Sequence, residues 1–132
     1  MKKEFANRIK EKAKRLADDD TKISKLLDEV KEKLGGIVKS ERLNELFSTI
    51  EVFIRMLKSY INGEYRDYPK RSLTLILFGL IYFLIPLDMI PDFIPITGFL
   101  DDLTVILWIF RSIQKDIIAY LDWEQGKTST TN

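Results

Sequence analysis

Residues 82–106 read YFLIPLDMIPDFIPITGFLDDLTVI, where prolines, a glycine and aspartates interrupt two apolar runs. Proline lacks a backbone donor, and it pushes the residue before it out of the helical region. We therefore expect the helix that arrives from Leu73 to end by about Ile85, and a second helix to start near Asp101 or Asp102. The stretch predicts the corner of a helical hairpin.

Working outward, helical spacing of apolar residues predicts an all-α fold for the rest of the chain. Three amphipathic helices should precede the corner: one over about Lys3 to Ala17, one that ends at Gly35 and Gly36, and one over Leu43 to Ile61. Residues 18–20, all aspartate, offer an N-cap to the second helix, and Ser40 offers one to the third. Gly63 suits the end of the third helix. The lysine-rich first helix is open to two interpretations, as a helix that lies on an anionic membrane or as one that packs its stripe on the domain.

The run from Ser72 to Leu87 carries no charge and is apolar all round. It falls between the ~20 residues of a spanning helix and the 10 to 14 of a buried or re-entrant one. Because a chain of 132 residues has little interior, we expect lipid or an oligomer interface to cover this run. A last helix is predicted over about Leu103 to Trp123, and Arg111 limits any membrane entry to its first half.

The sequence thus divides into a charged amphipathic helical region at 1–68, a hydrophobic hairpin at 69–124 and a tail at 125–132 that we expect to be disordered. Lys70 and Arg71 precede the apolar run, which by the positive-inside rule keeps the N-terminal part cytoplasmic. In the connector before Pro69, Tyr65, Arg66 and Tyr68 are candidates either for contact with a ligand or lipid headgroups, or for simple packing.

Composition excludes several classes of function. The chain has no cysteine and no histidine, which excludes a disulfide framework, thiolate chemistry and a histidine base. It has no glycine-rich phosphate loop, and no serine has a base partner. The net charge is +1 and no block of like charge suggests a nucleic-acid partner. We find no catalytic motif and do not expect an enzyme.

Four aspartates in or beside the corner are the candidate site: Asp88, Asp92, Asp101 and Asp102. Converging carboxylates suit magnesium or calcium, although the spacing matches no metal-binding loop and we expect no cofactor. The structural alternative is that they accept bonds from backbone amides in the turns, with Asp101 or Asp102 as the cap of the last helix.

The corner resembles the YkvA-like family of bacterial proteins, a domain of unknown function. The residues that carry the resemblance are Glu64, Tyr65 and Arg66 before Pro69, then Pro86, Asp88, Pro91, Asp92, Pro95, Gly98, Asp101 and Asp102. Residues 120–124 also look like family members. The resemblance implies association with a bacterial cytoplasmic membrane. It does not imply an activity, because none is established for the family.

We therefore expect a membrane-associated helical protein that acts as an interaction or scaffold module, with a hairpin that dips into the bilayer or spans it as a transmembrane helix. Lipid is the expected partner, and a protein partner or a second copy of the chain is possible. The alternatives are a soluble homo-oligomer and a metal-binding protein that uses the four aspartates.

Overall fold

The computed structural model describes the backbone over residues 3–35, 44–89 and 96–130, and side chains over residues 7–35, 44–84 and 104–126. Within these ranges every regular element is a helix, which confirms the all-α prediction. The helices are α1 Lys3–Ala17, α2 Asp20–Gly35, α3 Asn44–Ile61, α4 Lys70–Met89, α5 Ile96–Ser112 and α6 Gln114–Thr130.

The first two helices follow the sequence prediction. α1 has the predicted bounds, and its apolar stripe around Ala13 is buried and packs mainly on α4. Of the two interpretations of α1, packing on the domain is therefore confirmed. Asp19 caps α2, because its Oδ1 accepts hydrogen bonds from the backbone N–H of Thr21 at 3.0 Å and of Lys22 at 3.3 Å.

α3 is a core helix, and its buried face runs from Leu46 to Leu57. The expected cap, Ser40, lies outside the described residues. At the other end Gly63 has a φ of +76°, and the Gly63 N–H donates to the Tyr60 carbonyl while the Glu64 N–H donates to the Ser59 carbonyl. This pair of bonds is a Schellman motif, so the predicted glycine stop is confirmed.

α4 is surrounded by the other helices over residues 72–84, where every side chain is buried or half-buried. Its buried apolar side chains are Leu73, Ile76, Leu77, Leu80, Ile81, Phe83 and Leu84. On the remaining face Leu75, Phe78 and Tyr82 are half-buried and pack against the same core. The cover comes chiefly from α1 and also from α2, α3 and α5.

The expectation that this run needs lipid or a second copy as its cover is therefore wrong over residues 72–84. The physical reason is that α1 and α2, although charged outside, each bring an apolar stripe that reaches α4. The predicted transmembrane helix is not found: among the described residues, no helix combines the length and the hydropathy that crossing a bilayer requires.

The hairpin differs from the prediction at its boundaries. α4 continues past Pro86 to Met89, and α5 already begins at Ile96. A proline within a helix removes one backbone hydrogen bond, and here the helix accepts that loss. Because α5 begins five residues early, Asp101 and Asp102 lie in its second turn and are not at the N-cap position.

The predicted last helix is divided in two at Ile113. The Ile113 N–H donates to the Ile109 carbonyl and the Ile117 N–H to the Ile113 carbonyl, both at 3.0 Å, so the chain keeps a helical path across the division. α6 then extends to Thr130, past Gly126, where the sequence suggested a disordered tail.

A close approach between α4 and α5 depends on Gly79. A Cβ atom at this position would lie 2.9 Å from Cδ1 of Ile109 and 3.1 Å from Cδ1 of Ile106. The absence of a side chain therefore lets α5 seat its buried isoleucines directly on α4. Buried side chains from Ile9 in α1 to Tyr120 in α6 belong to one continuous core.

Candidate functional site

The structure places the backbone of three of the four candidate aspartates. Asp88 lies at the end of α4, and Asp101 and Asp102 lie in α5. Asp92 lies outside the described residues, as do Pro91 and Pro95, and the side chains of all four aspartates lie outside the described ranges. Where side chains are described, no group of three or more acidic residues is arranged to hold a metal. The metal hypothesis for the corner therefore remains a prediction.

The described part of the chain holds two other features, and the first is an aromatic cluster where α3 ends and α6 passes. We call it the tyrosine cluster, and its members are Tyr60, Tyr65, Tyr68, Tyr120 and Trp123. Tyr65 is its centre, with ring centroids 5.0 Å from Trp123, 5.2 Å from Tyr120 and 6.0 Å from Tyr68. These separations are typical of favourable aromatic pairs.

The turn at Gly63 explains why the cluster forms. After the Schellman motif the Tyr65 N–H also donates to the Ser59 carbonyl, at 3.1 Å, which turns the chain back over the end of α3. The Tyr68 hydroxyl then donates to the Met56 carbonyl at 3.3 Å. Tyr65 and Tyr68 are buried, with 7% and 9% of their surface exposed to solvent. The interpretation that these two side chains serve in packing is therefore confirmed.

Polar contacts surround the buried rings. The Tyr120 hydroxyl donates to Oε2 of Glu124 at 2.8 Å, and it lies 3.3 Å from the Ser59 hydroxyl, which is therefore the donor in that second contact. Arg55 binds both oxygens of Glu124, at 3.0 and 3.2 Å. Arg66 lies over the Tyr60 ring, 4.4 Å from its centroid, and donates to Asp20 at 3.0 Å.

The surroundings of Tyr65, Tyr68 and Tyr120 favour the neutral form of their phenols. Burial is the main cause that raises the pKa of Tyr65 and of Tyr68, and burial with the bond to Glu124 raises the pKa of Tyr120 to about 12. The hydrogen bonds that Arg55 donates to Glu124 raise the pKa of Arg55. Neutral phenols in a packed cluster are not nucleophiles or bases near pH 7, so the arrangement is suited to joining α3, α4 and α6.

A further bond ties α4 to α6 beside this cluster. The hydroxyl of Ser72, which is buried in the first turn of α4, donates to Oδ2 of the half-buried Asp116. Sequence reasoning missed this partnership, because nothing in the spacing of the two residues indicates that they meet.

The second feature is a groove of about 210 Å³ between α1, α2 and α4, which we call the lysine groove. It is lined by Lys12, Leu16, Lys22, Lys25, Leu26, Glu29, Ile81 and Leu84. The four charged side chains are exposed and the four apolar ones are buried, so cations surround an apolar floor. The spacing of Lys22 and Lys25 on one face of α2 was a visible signal, but the sequence does not show that Lys12 joins them.

Comparison with known proteins gives a family and one named relative. A family model described as "Protein of unknown function (DUF1232)" matches residues 72–108. The chain is 34% identical over 91 residues to "Uncharacterized membrane protein YkvA" of Bacillus subtilis (strain 168), and the match spans 67% of this chain and 86% of that protein. No solved structure matches the chain.

Proposed function

Because the chain belongs to the YkvA-like family of DUF1232 proteins, we propose that it is a membrane-associated interaction module on the cytoplasmic face of the bacterial inner membrane. The name of its Bacillus relative, "Uncharacterized membrane protein YkvA", supports the association with a membrane. The family model matches most of α4, the corner and most of α5, so the shared part of the chain is the hairpin.

The observation that carries the proposal is the burial of α4. Its side chains from Ser72 to Leu84 are already covered by the chain's own helices. The sequence that follows, residues 85–100, is mostly apolar, with three prolines and only two charged residues. We therefore assign the contact with lipid to this corner, while the bundle stays on the aqueous side.

Charge supports the proposed orientation. Lys70 and Arg71 are exposed at the start of α4, and the exposed faces of α1 and α2 are rich in lysine. Cytoplasmic segments near a membrane favour lysine and arginine, and these exposed cations support the proposal that the bundle lies on the cytoplasmic side.

A fractionation experiment tests the proposal. The chain is expressed in a bacterium, membranes are floated on a density gradient, and the bound fraction is measured for wild type and for the double variant Phe93→Asp, Ile94→Asp. Losing the burial of two apolar side chains costs roughly 1.5 to 3 kcal/mol each, or roughly 3 to 6 kcal/mol together, so the affinity for the membrane should fall by at least about 100-fold.

A matched control is available on the described surface. Trp108 and Ile118 are exposed apolar residues, at 59% and 51%, and they lie outside the corner. The pair Trp108→Asp, Ile118→Asp should leave membrane binding unchanged. Wild type that stays in the soluble fraction, or equal loss in both pairs, would contradict the proposal. Light scattering of any soluble fraction tests the homo-oligomer alternative.

A further inference from the structure

We infer that the lysine groove binds the phosphate of an anionic phospholipid headgroup and so sets how the bundle rests on the bilayer. This inference rests on the proposed function, since it names the lipid class that the membrane-associated module recognises. The occupant is a lipid in a bilayer, and a soluble phosphate compound is the competing outcome that the experiment distinguishes.

Two helices, α1 and α2, bring the cations of the groove together. Lys12 projects from α1, and Lys22 and Lys25 project from α2. Glu29 is the one acidic side chain among the described residues that line the groove, so the described lining has a surplus of positive charge. An ammonium group is a compact charge that suits the oxygens of a phosphate.

These lysines are also available for a ligand. None of the three forms an ion pair with any residue that the structure describes, whereas Lys14 pairs with Glu11 and Lys70 with Asp18. The three lysines of the groove therefore have no carboxylate partner within the described ranges.

The floor of the groove selects an amphiphile over a simple anion. Leu16 of α1, Leu26 of α2 and Ile81 and Leu84 of α4 provide apolar walls directly beneath the cations. A phosphodiester that is attached to glycerol and acyl chains has a matching polar and apolar part, whereas a free phosphate uses only the cations. The α4 wall also ends at Leu84, immediately before the corner in the sequence, so the two contacts with lipid adjoin along the chain.

The test is a vesicle-binding series with the full chain. Binding is measured by sedimentation with two kinds of vesicle. One contains phosphatidylcholine alone, and the other contains phosphatidylcholine and phosphatidylglycerol in equal parts. The groove variant is Lys12→Gln, Lys22→Gln, Lys25→Gln. The matched control is Lys31→Gln, Lys58→Gln, Lys115→Gln, which removes the same charge from exposed lysines that do not line the groove. Thermal unfolding checks that both variants fold.

Each lysine near an anionic surface favours binding about fivefold, so the groove variant should bind phosphatidylglycerol vesicles about 100-fold more weakly than wild type. The control should lose only a few-fold, and high salt should reduce the difference between the variants. Equal losses in both variants would overturn the inference, because they would indicate a diffuse charge effect.

Two further outcomes separate the inference from the proposed function. Equal binding of wild type to both kinds of vesicle would overturn the groove inference while leaving membrane association standing, whereas no binding to either, with absence from cell membranes, would overturn both. A third measurement, beside the two kinds of vesicle, is calorimetry with glycerol phosphate in the absence of vesicles. If wild type binds glycerol phosphate in this experiment and the groove substitutions abolish that binding, the ligand of the groove is a soluble phosphate compound and not a lipid.

Discussion

Tyr65 and Tyr120 meet edge to face, with ring centroids 5.2 Å apart and ring planes inclined by 70°. Tyr65 lies in the connector between α3 and α4, and Tyr120 lies in α6, so their contact closes the bundle at the start of α4. Residues 64–66 and 120–124 are among the segments whose sequence resembles the family outside the corner. The contact between Tyr65 and Tyr120 joins these two segments.

Replacing Tyr65 by alanine should destabilise the protein strongly. Its ring is buried among Tyr68, Tyr120 and Trp123, and truncating a buried aromatic ring costs about 3 to 5 kcal/mol. Tyr65→Phe keeps the ring and should cost less than about 1 kcal/mol. Urea unfolding monitored by circular dichroism measures both, and an alanine variant as stable as the phenylalanine one would show that the ring contributes little.

Stability should fall as the pH rises above about 10. The folded state raises the pKa of Tyr120 from 10.0 to about 12, chiefly by burial, so the unfolded chain releases this proton first. Between those two values the native state holds more protons than the unfolded state, and the free energy of unfolding therefore decreases as pH increases. Below about pH 9 this group should contribute no pH dependence.

The variant Tyr120→Phe provides the control for that pH series. It lacks the titrating phenol, so its free energy of unfolding should decline less steeply than that of wild type over the same pH range. It should also be about 1 to 2 kcal/mol less stable at neutral pH, because the bonds to Ser59 and Glu124 are lost. Parallel curves for the two proteins would show that Tyr120 does not titrate as described.

Gly79→Ala should destabilise the α4–α5 contact, although alanine is the better helix former by about 1 kcal/mol. The new Cβ would lie within 2.9 Å of Ile109, and both Ile106 and Ile109 are fully buried and so have little freedom to move. Overpacking of this kind costs about 1 to 3 kcal/mol. Gly126→Ala, in α6 with nothing within 4 Å of the added Cβ, should instead raise the melting temperature. A rise for both variants would contradict the close approach.

Asp19→Ala should cost about 0.5 to 2 kcal/mol, since the variant removes the side-chain acceptor of the Thr21 N–H and leaves the Lys22 N–H with only the carbonyl of residue 19. Asp28→Ala, at an exposed position in the middle of α2, removes the same charge without a cap and serves as the control. Thermal unfolding compares them. Equal effects would assign the loss to charge and not to capping.

Local features of the fold were predictable from the sequence. The bounds of α1, the aspartate cap of α2 and the glycine that ends α3 each depend on residues within one turn of each other, and all three are present. The end of α4 differs from the prediction, because the helix tolerates Pro86 and continues past it to Met89.

Contacts between distant residues were not predictable. The cover of α4 was underestimated because the narrow stripe around Ala13 gives no sign of where α1 will pack. The bond between Ser72 and Asp116 and the meeting of Lys12 with Lys22 likewise depend on how the helices cross. The candidate aspartates remain a sequence-level hypothesis, since the described side chains do not include them.

The packing of α1 against α4 has a consequence for biosynthesis. A ribosome makes the chain from its N-terminus, so α1 leaves the exit tunnel before α4, the most hydrophobic helix, emerges. Folding of domains during synthesis follows this order. The helix that covers α4 is therefore synthesised before α4 itself. A truncation that deleted α1 would leave the apolar side chains of α4 exposed in the nascent chain.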